Sequence, residues 1–138
     1  SQTGCNRGCT FCHLTATNQT SFTDSTHNDF LGQAAQVFKH YRRQRRPARY
    51  AHFNFMARGE PLANRVILES ADELLIKLGQ MARDEKIGAK FNISTILPTT
   101  LKKPLQDVFG FIHPTIYYSL YSVDEAFRQR RMPAAMPA

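Results

Sequence analysis

All three cysteines of this 138-residue chain fall in one C-x3-C-x2-C run, Cys5, Cys9 and Cys12. Three cysteines cannot all pair among themselves, and a tight group in an otherwise cysteine-free chain reads as a ligand set. Two cargoes fit three thiolates. Zinc needs a fourth ligand to close its tetrahedron; His13 follows Cys12 directly, although zinc sites ordinarily separate their ligand pairs by a longer loop. A cubane iron-sulfur cluster normally takes four thiolates, so three leave one iron open to a small molecule. On this reading His13 is a loop residue beside the ligands.

A second chemistry-bearing stretch is FMARGEPL, Phe55 to Leu62. Gly59 lets the backbone approach a ligand, Pro61 fixes the turn, and Glu60 offers a carboxylate to a cationic amine. Taken alone, such a turn is commonplace. Ser94 and Ser119 stand at the ends of expected strands, where a hydroxyl can bond to ribose or carboxylate oxygens. A basic run, Lys39, Arg42, Arg43, Arg45, Arg46 and Arg49, sits at the end of an expected helix; it reads first as a solvated cap and second as a contact to nucleic acid phosphates.

The elements that must position these groups follow from periodicity. Ser21 to Ser25 is polar enough to supply a helix N-cap, and Asp29 to Tyr41 spaces Phe30, Ala34, Val37, Phe38 and Tyr41 as a helix does. Tyr50 to Met56 alternates as a strand and feeds the Gly-Glu-Pro turn. A long amphipathic helix is expected from about Asn64 to Arg83, a strand over Lys90 to Leu97, a short helix over Thr99 to Val108, a strand over Thr115 to Tyr121, and a helix over Asp124 to Arg131. Strand and helix alternate, which predicts parallel βα units with ligands at the carboxyl ends of the strands. The basic run should then lie at the opposite end.

The remaining features bound the function. Hydrophobic content is 42% and aromatic content 11%, both globular values. Lys and Arg number 18 against 11 for Asp and Glu, a formal +7 with a pI near 9.7, which favours polyanionic partners. No stretch has the length of apolar sequence that a membrane span needs, and free cysteines point to a reducing, cytoplasmic setting. One domain, or part of one, is expected. The chain starts without Met and ends MPAAMPA, which reads as a piece of a longer protein.

C-x3-C-x2-C with Phe11 before the last cysteine resembles the signature of the radical S-adenosylmethionine superfamily. FMARGEPLAN resembles its glycine-glutamate-proline segment. Together with SQTGCNRGCTFC, NISTILP and SLYSVDEAFRQRRMP, in that order, the chain is most similar to the RlmN/Cfr-type RNA adenine methyltransferases. The resemblance implies an α/β fold, a partial (β/α) barrel of which this chain is roughly the N-terminal half. It further implies a [4Fe-4S] cluster on Cys5, Cys9 and Cys12, Phe11 packed beside it, and S-adenosylmethionine held by Gly59, Glu60, Ser94 and Ser119. The implied reaction is reductive cleavage of that cofactor and methylation of an adenine in ribosomal or transfer RNA. The electron would come from a donor such as flavodoxin or ferredoxin. A radical enzyme acting on another substrate, or a zinc and nucleic-acid binding module, are the alternatives. The chain departs from the family at Tyr121, where a histidine is usual, at Ala134, where an asparagine is usual, and in QTSFTDST after the cysteines. It also lacks the family's methyl-carrying and resolving cysteines, so catalysis is not expected of this stretch alone.

Overall fold

The computed structural model describes residues 1–44 and 47–138. Arg45 and Arg46 of the basic run lie outside the described residues. Three parallel strands, β1 (Tyr50–Phe55), β2 (Gly88–Thr95) and β3 (Thr115–Tyr118), form one sheet in that spatial order. In register, Phe53 pairs with Phe91, Phe55 with Ile93, and Ile93 with Ile116. The chain is thus a small α/β domain.

Before the sheet come a four-residue helix α1 (His13–Ala16) and α2 (His27–Tyr41). Thr26 caps α2: its hydroxyl accepts from Asp29 N, and Asp29 accepts from the Thr26 backbone in return. The cap therefore falls one residue beyond the polar Ser21 to Ser25 stretch expected to supply it. Asp24, inside that stretch, instead accepts from the Gln2 amide and from Arg65 N.

Between β1 and β2 runs the crossover helix α3 (Arg65–Asp84). Asn64 starts it by accepting from Ile67 N, while its amide donates to Ser1 O and Ser25 O. Ile67, Ala71, Leu74, Leu75, Leu78 and Ala82 recur at helical spacing and are buried, meeting Phe38 of α2 and Phe55 and Ile93 of the sheet in one core. The sheet's alternation decides its two faces. Ala51, Phe53 and Phe55 turn toward the helices, whereas Tyr50, His52 and Asn54 are exposed on the other side. Asn54 and Asn92 hydrogen-bond across that second face at 2.6 Å.

The segment after β2 differs from expectation. Only Leu105–Val108 is helical (α4), because Pro104 can start a helix but not sit within one. β3 ends at Tyr118, three residues early: Ser119 N still bonds to Thr95 O, but Tyr121 adopts a left-handed φ of 62° that no strand accommodates. The last helix, α5 (Glu125–Arg131), is capped by Asp124 accepting from Phe127 N. Its Arg128 is 1% exposed and donates to Leu120 O, the Tyr118 hydroxyl and Met136 O, tying β3, the loop and the C-terminal segment together. Among the described residues, no helix is long and apolar enough to cross a membrane.

Candidate functional site

A cavity of about 440 Å³ opens at the carboxyl ends of the three strands. Its wall includes Cys5, Cys9, Phe11, Cys12, Gly59, Glu60, Ser94 and Ser119, every residue singled out for metal or cofactor contact from the sequence. These residues come from four separate chain segments. Parallel strands gather three of them, because each strand delivers the residues at its carboxyl end to the same edge of the sheet; the cysteine segment precedes β1 and is tied in by its own backbone bonds.

The cysteine loop is fixed to its surroundings by backbone bonds. Gln2 N donates to Arg58 O, Thr3 N to Thr23 O, Cys5 N to Gln19 O, and Thr10 N to Arg131 O. Gly4 has no room for a side chain, since a Cβ there would stand 2.2 Å from Ser21 O. Cys12 opens α1, and its own N–H bonds to Cys9 O at 3.0 Å. The three thiols are half-buried and unpaired by disulfide. Burial pushes the Cys9 thiol up to about 11, with Cys5, Cys12 and Glu60 adding like charge. Cys5 is also raised by burial, with Arg7 opposing.

Among the described residues, no three Cys, His, Asp or Glu side chains are gathered closely enough to hold one metal ion as they stand. The thiols share a wall of the cavity, and what fits iron is their donor chemistry: three soft sulfurs, which suit iron-sulfur clusters, beside a carboxylate. His13 lines the same cavity.

Glu60 is the deepest charged group of the wall, 4% exposed. Gly59 sets its backbone with φ +82°, and Glu60 N donates to Gln2 Oε1 at 3.0 Å. The carboxylate accepts at Oε1 from the Thr95 hydroxyl (2.6 Å) and Leu62 N (3.0 Å), and at Oε2 from Ile96 N (3.1 Å). Burial raises its proton affinity above the ordinary carboxylate range, and these donors pull it part of the way back. A carboxylate has four acceptor positions, so three donors leave one for a ligand.

Gln2 and Thr95 were not evident as site residues from the sequence. Each acts on Glu60 across a long stretch of chain, and although both fall inside segments that carry the resemblance, neither was assigned a contact there. Tyr121 packs on the wall from outside: its ring stacks on Phe11 at 4.3 Å between centroids and on Phe127 at 5.7 Å. The described members of the basic run lie elsewhere. Arg42 bonds to Glu85 and Arg49 lies over the Tyr50 ring at the start of β1, a strand length of roughly 20 Å from the Gly59 turn.

A second cavity, of about 450 Å³, lies between α2 and β1 and is lined largely by apolar groups such as Phe30, Val37, Tyr41 and Phe53. None of the cysteines reaches it, nor does Glu60. Comparison with models of protein families, with characterised proteins and with solved structures found no match to the chain.

Proposed function

We propose that this α/β domain is the first half of a radical S-adenosylmethionine barrel, and that the enzyme methylates an adenine in ribosomal or transfer RNA. The observation that carries this reading is the single cavity in which three cysteines meet a buried Glu60 with one acceptor position left. The polar, helix-free face of the sheet, with His52, Asn54 and Asn92, suits the inside of such a barrel.

In this reading Cys5, Cys9 and Cys12 hold a [4Fe-4S] cluster. Bound there, the cluster supplies one electron for cleavage of S-adenosylmethionine. Glu60 accepts from the cofactor's ammonium group, and bringing that cation beside the carboxylate offsets the burial that now favours its protonated form. Ser94 and Ser119 offer hydroxyls to ribose or carboxylate oxygens at the strand ends, and Phe11 would pack beside the cluster. The arginines beyond α2 are an outlying phosphate contact for the RNA, read through backbone charge rather than base identity.

Anaerobic reconstitution with iron and sulfide tests the proposal. The expected result is a brown protein with sulfide-to-iron absorption, retained in His13→Ala and lost in Cys9→Ala. Stoichiometric zinc without the chromophore, with equal loss from both substitutions, would instead establish a Cys3His zinc module.

A further inference from the structure

We infer that Thr95 is the residue that decides which oxygen of Glu60 meets a ligand, and so makes the cavity selective for a cationic amine; this rests on the proposed cofactor site. Leu97 N donates to Thr95 Oγ1 at 2.9 Å, so the hydroxyl is already an acceptor toward its own backbone. Its one proton goes to Glu60 Oε1, 2.6 Å away. With Leu62 N also donating to that oxygen, both acceptor positions of Oε1 are filled. Oε2 has a single donor, Ile96 N. The open position of the carboxylate therefore belongs to Oε2.

The arrangement cannot swap its oxygens cheaply. Thr95 is 1% exposed and Glu60 4%, so neither finds water as a replacement partner. All five groups involved sit on two short stretches, Thr95 to Leu97 and Glu60 to Leu62, and Leu97 is itself held at φ +50°. Thr95 lines the cavity, but its hydroxyl is taken up by Glu60 Oε1 and Leu97 N, which makes it a positioning residue. Ser94, its neighbour, lines the same cavity.

What Thr95 contributes is specificity. A fixed Oε2 with one free position rewards an N–H donor brought to one point, and a ligand without an amine leaves that position unpaired and buried. Losing one hydrogen bond to a charged group costs about tenfold or more in affinity. The site should then prefer S-adenosylmethionine over its analogue lacking the α-amino group by at least about that factor.

The test is calorimetric binding of both ligands to the reconstituted protein, for wild type, Thr95→Val and Thr95→Ser. Thr95→Val keeps the shape and removes the hydroxyl; it is expected to reduce the wild-type preference for the amine about tenfold, and Thr95→Ser to restore it. Should the Val variant fail to fold, Thr95→Ala removes the hydroxyl without filling its space. A Thr95 of purely structural importance would weaken both ligands equally and leave their ratio unchanged, which would overturn the inference. Wild-type protein that binds neither ligand, or both alike, would instead overturn the cofactor site on which the inference rests.

Discussion

Two glycine-to-alanine substitutions should move stability in opposite directions. At Gly59 the backbone is left-handed, φ +82°, and an added Cβ would stand 2.5 Å from both Gln2 Cβ and Gln2 Oε1. The left-handed conformation costs an L-residue about 1–2 kcal/mol. Gln2 must also move, and its Oε1 accepts from the buried Glu60 N–H while its amide donates to Asp24 at 2.7 Å. Leaving such a buried donor unpaired costs about 1–3 kcal/mol. Together, Gly59→Ala should lose about 2–5 kcal/mol, a large share of the roughly 5–15 kcal/mol that holds an ordinary domain together. Gly32, in α2, has nothing within 4 Å of where its Cβ would be, and Ala there should gain about 0.5–1 kcal/mol from helix propensity. Urea unfolding measures both. With a slope near 2 kcal/mol/M, the midpoint of the first should fall by about 1 M or more while the second rises slightly. A Gly59→Ala protein within about 0.5 kcal/mol of wild type would refute the claim that this turn is built around the missing side chain.

Other outcomes follow from the same geometry. Because burial raises the Glu60 carboxyl above its ordinary 4.5, the folded state holds that proton to higher pH than the unfolded chain does; its stabilisation is complete below pH 4.5 and is lost as pH rises through the raised value. Wild-type stability relative to Glu60→Gln should therefore decline across that window, and a flat difference in denaturant midpoints would contradict it. With its thiol at about 11, metal-free Cys9 should react with iodoacetamide at pH 8.5 about a hundredfold more slowly than an ordinary cysteine, read by peptide mass mapping. At Tyr121, φ 62°, the usual ranking of Ala over Gly should invert: both lose the stack on Phe11, but Gly alone relieves about 1–2 kcal/mol of backbone strain, which thermal unfolding resolves.

The scaffold was largely legible because its signals are local. α2, α3 and the three strands lie close to where period and turn residues put them, since Phe30, Ala34 and Phe38 or Phe53 and Phe55 carry their period within a few positions. α1 was missed because four residues carry no period, and the Thr99 to Val108 helix shrank to its last turn because Pro104 sets its start. The cavity wall was readable as motif, yet what orients it was not. Thr95 and Gln2 reach Glu60 from 35 and 58 residues away, and their roles exist only after the sheet has formed. Tyr121 reads as a continuing strand residue, and nothing in its neighbours announces a left-handed turn.

The bond from Thr10 N to Arg131 O spans 121 residues, and it pins the loop between Cys9 and Cys12. During synthesis at about 5–20 residues per second, the cysteines wait roughly 6 to 24 seconds for Arg131 to be made. The thiols are therefore the oldest part of the site and the last to be enclosed. In that interval the loop between Cys9 and Cys12 lacks this tie, so a bond spanning 121 residues also sets how long the cysteines stand without it.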